Sequence, residues 1–417
     1  MTVPTSWSVA TLSTVTDKPS KRSPSETGRS KVRYVDIGGL EGPVRLLNDA
    51  PLIDAKSAPS RCRQVLKTGD TVYSTVRPYL RKMARIGDQL DNEFASTGFA
   101  VLRPRPELLP AYLAYFAQSC LFEDQLLPMQ KGVSYPAVLD REVRSCRIWY
   151  PTLQEQRRIV DFIEDHLAHL DAADASLTLA SRRAGTAITS SAARHVNEAA
   201  LSGRHTSIGR EAKLIEYGSS AKASAELSER AIPVLRMGNL QQGDLDWTSL
   251  KYLSADHPDA TRHLLHRGDL LFNRTNSAEL VGKSAVFDDA RAAVFASYLI
   301  RVRFADTTLP EWANLVINSP QGRAYVRSVL AQQVGQANVN STKLKAFPLV
   351  LPDVREQQDR LAHHLALKTS ASRLQQEIQG QKARSTALRR AVLAAAFSGR
   401  LTGRSADAEI IEEIAES

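Results

Sequence analysis

Pro151-Thr152-Leu153-Gln154-Glu155-Gln156-Arg157-Arg158-Ile159-Val160 opens a stretch with no further proline until Pro233. Small and apolar residues follow at Ile159, Ile163, His166, Leu170, Ala173, Leu177, Ala180, Ala184 and Ala187, in alternating steps of four and three. That spacing is the seam of a coiled coil, narrower than the apolar stripe of an ordinary globular helix. The stretch closes on Ala200-Leu201-Ser202-Gly203-Arg204, where the glycine is expected to form a left-handed C-terminal cap. At ~1.5 Å per residue the helix would be roughly 70 Å long, so a second element has to cover its seam.

The same pattern returns once. Pro352-Asp353-Val354-Arg355-Glu356-Gln357 stands 201 residues after the first opening, and the second stretch closes on Ala396-Phe397-Ser398-Gly399-Arg400. Its expected seam is Leu367, Ala371, Leu374, Ile378, Gln381, Ser385, Leu388 and Val392. Two helices whose seams are too narrow to form a core alone pack most simply on each other. The chain therefore reads as an internal tandem repeat, each half a globular domain followed by a long helix.

Landmarks between the helices repeat in order. In the first half Val32 to Gly39 reads as a strand and turn, Lys67-Thr68-Gly69-Asp70 as a turn, Thr71 to Val76 and Phe94 to Leu102 as strands. A helix is expected over Ala111 to Ala117, a loop over Lys131 to Pro136 and a last strand over Cys146 to Tyr150. In the second half Ile232 to Leu240 matches the first strand and turn. Arg267-Gly268-Asp269-Leu270-Leu271-Phe272 matches the Gly-Asp turn, and Phe295-Ala296-Ser297 matches Phe94-Ala95-Ser96. Val334 to Asn340 replaces the loop and Phe347 to Leu351 the last strand. The framework is kept while the residues between differ, as two related domains with different targets would require.

Composition narrows the function. The 417 residues suffice for two or three domains, with 43% hydrophobic residues and no apolar run long enough to span a membrane. The N-terminus has neither the basic segment nor the apolar core of a secretory signal. Cys62, Cys120 and Cys146 all lie in the first half, so they are read as free thiols of a reduced, cytoplasmic protein. A net charge of +9 favours a polyanionic partner.

At these residues the sequence resembles the specificity subunits of type I DNA restriction-modification enzymes. The resemblance is carried by residues 151–160, by Pro233-Val234-Leu235-Arg236-Met237-Gly238-Asn239-Leu240, by Gly268 to Asn276 and by Ala396-Phe397-Ser398-Gly399-Arg400-Leu401-Thr402. It implies an α+β architecture: two target-recognition domains, each a twisted sheet with short helices, separated by two long helices in an antiparallel coiled coil. The expected boundaries are domain 1 over 1–150, helix 1 over 151–204, domain 2 over 205–351, helix 2 over 352–403 and a tail over 404–417. It also implies a bipartite double-stranded DNA target, two modification subunits docked on the helices, and restriction subunits. S-adenosylmethionine, ATP and Mg would belong to those partners, with no cofactor in this chain.

No catalytic constellation competes with that reading. Asn318-Ser319-Pro320-Gln321 lacks the second proline and the aromatic that a DNA amino-methyltransferase uses to hold a flipped base. No phosphate-cradling glycine loop is present. Asp353 and Glu356 invite a nuclease reading, but at a helix start they suit capping and the helix dipole. His166 with His169, His263 with His266 and the His363-His364 pair have no cysteine or carboxylate partners of metal-ligand type.

What the sequence offers is side chains that read DNA. In domain 1 these are Arg77, Tyr79, Arg81, Lys82, Lys131, Ser134 and Tyr135. In domain 2 they are Asn273, Arg274, Thr275, Asn276, Lys283, Gln333, Gln336 and Asn338. Arginine matches guanine and Asn or Gln matches adenine through paired hydrogen bonds, while Lys and Thr commonly hold phosphates. Two rival readings stay open: a coiled-coil scaffold whose globular domains bind other proteins, and a free-standing DNA methyltransferase, which the missing motifs oppose.

Overall fold

A computed structural model describes residues 6–132, 135–226, 230–276, 280–333, 336–401, 411 and 413. The chain forms two compact units, one of residues 1–177 with 379–417, the other of residues 178–378. Both long helices form without a break, over Leu153–Ser202 and Val354–Phe397, and each contributes to both units.

In the first unit a five-stranded sheet runs in the order Thr16–Asp17, Phe99–Pro104, Thr71–Ser74, Met83–Ile86, Pro43–Leu47. A four-stranded sheet holds Leu52–Asp54, Lys31–Val35, Phe94–Ser96 and Cys62–Val65. The single strand expected over Phe94 to Leu102 is thus two strands, broken at Thr97-Gly98 and shared between two sheets. Apolar patterning alone cannot show such a break, because both pieces are buried. Ser8–Thr11 pairs antiparallel with Arg147–Tyr150, which ties the start of the unit to the strand that leads into the long helix.

The second unit repeats this plan. Ala212–Tyr217, Leu299–Phe304, Asp269–Asn273 and Ser284–Phe287 form one sheet, and Lys251–Ser254, Ala231–Leu235 and Val294–Phe295 another. Arg204–Ser207 pairs with Pro348–Leu351, the counterpart of the first unit's clasp. Gly203 lies at this clasp but is not a left-handed cap. A Cβ there would come within 2.7 Å of the Ala199 carbonyl oxygen and 3.0 Å of Leu351 and Pro352, so the glycine permits a close approach. Gly399, at the end of the second long helix, does take a φ of +68°.

Matched residues do matched work in the two copies. Gly69 and Gly268 turn at φ +87° and +86°, and the aspartate after each is fully buried. Asp70 accepts from Arg103 at 2.8 Å, and Asp269 accepts from Arg303 at 2.8 Å. Gln156 and Gln357 are buried in the first turns of the long helices. Gln156 donates to the carbonyls of Glu107 and Pro151 and accepts from the Leu109 amide, at 2.9 to 3.0 Å. Gln357 does the same with Thr307, Pro352 and Leu309. The Gln that recurs in both openings is therefore a lock between helix and globular part, with every polar atom satisfied.

The helices pair antiparallel within each unit. In the first, Asp174 accepts from Ser385 at 3.1 Å and from Arg389 at 2.9 Å, while Ile159, Val160 and Ile163 share a core with Val392 and Phe397. In the second, Ser191 faces His364 and Glu198 pairs with Arg360. The buried and half-buried positions step through Val160, Ile163, Leu167, Leu170, Asp174, Leu177, Ser181, Ala184, Ile188, Ser191 and His195. The expected seam departs at two positions: Ala173 and Ala187 are exposed, with Asp174 and Ile188 half-buried beside them, while His166 and Ala180 are half-buried next to Leu167 and Ser181. The second helix shifts alike, with Gln375 and Lys382 half-buried where Leu374 and Gln381 are exposed. Small residues imitated part of a seam, whereas the real one admits Asp174, whose Oδ2 accepts from Ser385 and Arg389.

Candidate functional site

Each unit brings the segment after its Gly-Asp strand against the segment before its last short helix. In the first, Val76 and Lys131 both bridge Ala137, and the Arg77 amide donates to the Pro136 carbonyl at 2.7 Å. In the second, Thr275–Asn276 pairs with Gln336–Asn338, which also pairs with Ala331–Gln333. The two strings that the sequence marked as readers are thus adjacent in both copies. Backbone bonds fix the correspondence. Thr75 bonds Gly98 and Val138 as Arg274 bonds Tyr298 and Val339.

The side chains divide into two groups. The Arg77 guanidinium lies over the Tyr135 ring, 4.9 Å from its centroid, and Tyr79 and Tyr135 are exposed. Arg77 also has a left-handed backbone, φ +49° and ψ +58°, a conformation that costs a non-glycine residue roughly 1–3 kcal/mol. The Arg274 guanidinium lies 4.8 Å from the centroid of Tyr217. Thr275 donates to Asn338 at 3.3 Å. Lys131 is mostly exposed, 3.7 Å from Glu142, and Lys283 donates to Gln241 at 3.0 Å. The backbones of Asn276, Gln333 and Gln336 lie in the same small sheet; Ser134 lies outside the described residues.

Three expected readers belong to the fold. Asn273 is fully buried and donates to the Leu280 carbonyl at 3.0 Å, so its side chain cannot meet a ligand. Arg81 donates to the Gln118 carbonyl and sits 3.8 Å from Glu123. Lys82 donates to the Ile37 carbonyl at 3.1 Å. Conversely, Tyr217 was missed, because it ends a strand far in sequence from the residues it meets. Burial works to raise its phenol, but the Ser341 amide donating at 3.0 Å, with Arg274 and Lys345 nearby, leaves it below its ordinary value.

Among the described residues nucleophiles and metal ligands are not brought together at this surface. Burial pushes the Cys62 thiol up to about 11 and the Cys146 thiol up to about 12, which keeps both protonated. Asn318 and Ser319 end one helix and cap the next, Ser319 accepting from the Gly322 amide at 3.1 Å. Asp353 caps the Glu356 amide at 2.8 Å. Among the described residues no three His, Cys, Asp or Glu could hold a metal ion. None of the described helices is long and apolar enough to cross a membrane.

Residues 4–175 match the type I restriction modification DNA specificity domain. The chain is 25% identical over 321 residues to the type I restriction enzyme EcoKI specificity subunit of Escherichia coli strain K12, covering 73% of this chain and 68% of that protein. The chain is thus similar, over 73% of its length, to specificity subunits of type I restriction enzymes. A second relative, the StySPI specificity subunit of Salmonella potsdam, is 23% identical over 314 residues, with the same coverage. The fold of such subunits covers 96% of the chain. A chain solved in work on complex assembly and conformational transition of the type I R-M system superposes with a TM-score of 0.79 at 22% identity, covering 96% of this chain and all of that one. The HsdS subunit from Thermoanaerobacter tengcongensis gives a TM-score of 0.56 at 22% identity over 96% and 98% of the two chains.

Proposed function

We propose that this chain is a specificity subunit that reads a bipartite double-stranded DNA target, one half with each unit, and directs modification and restriction subunits to it. The observation that carries the reading is the duplicated surface. Both units pair the same two backbone segments and put a guanidinium on a tyrosine there, yet the remaining side chains differ. A common frame with divergent polar side chains suits two readers of different sequences, since base edges are told apart by donor and acceptor pattern. Methyl transfer with S-adenosylmethionine and cleavage with ATP and Mg belong to the partners, and the setting is the cytoplasm.

Selection of bound duplexes from a random library by the subunit assembled with its modification partners tests this directly. The expected product is one motif of two fixed blocks around an unread gap. Absence of any enriched sequence would leave the protein-binding scaffold as the better reading. The purified subunit alone is expected neither to methylate DNA nor to hydrolyse ATP, and radiolabel transfer to DNA by it would overturn the assignment.

A further inference from the structure

We propose that Arg77 and Arg274 each read one guanine, one per half-site, and that Tyr135 and Tyr217 are positioning residues that hold those guanidinium groups for the purpose. The inference rests on the DNA-recognition reading and goes a step beyond it, to base identity and to residues that act through another.

The geometry of the stack is the first argument. A guanidinium over an aromatic ring spends its face on the ring and keeps its in-plane N–H groups for a ligand. Among the described residues the Arg77 guanidinium makes no hydrogen bond or ion pair. Arg274 has one long contact, 3.5 Å from Nη1 to the Ser297 carbonyl, and its Nε is buried, so only its terminal nitrogens could meet a ligand. Their neighbours contrast with them: Arg103 and Arg303 are bound to buried aspartates and Arg81 to a backbone carbonyl. A planar fork with free edges is complementary to the paired O6 and N7 acceptors of guanine.

Position is the second argument. Thr75, not Arg77, is the counterpart of Arg274, and Arg77 corresponds to Asn276, whose position faces Ala337 as Arg77 faces Pro136. The tyrosines differ too. Tyr135 comes from the segment before the short helix, and Tyr217 ends a strand of the main sheet. An Arg–Tyr stack inherited as framework would occupy one register in both copies, as Asp70 and Asp269 do. Here the same pairing is reached from different positions on the same surface, as a requirement of function would produce.

The test uses the subunit assembled with its modification partners and compares wild type with Tyr217→Leu and Tyr217→Phe, and with the same changes at Tyr135. Bound sequences are selected from random duplexes, and affinities are measured on duplexes that vary one base at a time. Each leucine variant should lose roughly tenfold of its preference for a single guanine in one half-site, and the other half-site should be unchanged. Each phenylalanine variant should keep that preference, because the ring is retained. If a leucine variant fails to assemble, Arg274→Lys and Arg77→Lys give the same readout, since lysine keeps the charge but not the fork. A uniform loss across all sequences would assign these arginines to phosphates and overturn the inference. So would unchanged selectivity, or equal loss in the phenylalanine and leucine variants. A wild-type complex that enriched no sequence would instead overturn the recognition reading itself.

Discussion

Asn273 and Arg274 are adjacent in sequence and differ in placement. Asn273 is the last residue of a buried strand, its amide spent on the Leu280 carbonyl, while Arg274 begins the surface segment. Removing one buried hydrogen-bonding group costs about 1–3 kcal/mol. Asn273→Ala should therefore lower the free energy of unfolding by that amount while the selected DNA motif stays the same. Replacing Arg274, Thr275 and Asn276 together with alanine should do the reverse, relaxing one half-site at roughly 1–3 kcal/mol per lost base contact. Motif changes in both half-sites, or in neither, would contradict that division. The polar string was legible in the sequence, because it follows a Gly-Asp turn and a β-branched or aromatic strand. Which of its members faces inward was not, since a one-residue error in the strand's end moves a side chain to the other face. Tyr217 was illegible for another reason: only the folded sheet brings residues 217 and 274 together.

The long helices were legible in existence and extent, and their antiparallel pairing through the resemblance, but only partly in phase. Leu167 is 4% exposed, whereas Ala173 is exposed. Leu167→Ala should cost ~2–5 kcal/mol as a core truncation, and Ala173→Leu should be nearly neutral; chemical denaturation of the two variants checks the phase. Sequence periodicity also passed over His195, which is 4% exposed with neither ring nitrogen hydrogen-bonded, 6.5 Å edge-on from His364. Arg194 and Glu198 face this pair from its own helix, and Arg360, His363 and Lys368 from the other. Burial, reinforced by the neighbouring positive charges, holds both histidines below the ordinary value of 6.5. The unfolded chain then binds more protons than the folded one between the depressed values and 6.5, so stability rises with pH through that window. Acidification from pH 7 to 5.5 should destabilise the second unit. His263, buried likewise, adds the same trend, so changing both His195 and His364 to Gln should flatten it without abolishing it. Carboxylates held low, such as Glu211 beside Arg204, lose their contribution only below about 4.5 and are separable. A melting temperature in the double variant with the same pH slope as wild type would refute the helix-pair origin.

At the scale of the molecule the duplication was plain from landmarks such as Gly69 and Gly268, which both prove to be left-handed turns before a buried aspartate. The first long helix is continuous from Leu153 to Ser202, and its residues divide between the units at Leu177 and Thr178. If that helix sets the spacing of the half-sites, lengthening it should lengthen the unread gap in the target. Four alanines inserted after Ala180 add about 6 Å of helix, the rise of one to two base pairs at ~3.4 Å each. Four residues are also slightly more than one turn, so the seam beyond the insertion rotates by only about 40° and still packs, as stutters in coiled coils do. Neither reading surface is altered, so both motif blocks should be recovered unchanged from selection with the assembled complex, the gap between them longer by one or two pairs. A gap of unchanged length at undiminished affinity would mean that the helices serve as docking surfaces alone and that the half-sites take their spacing from elsewhere in the complex.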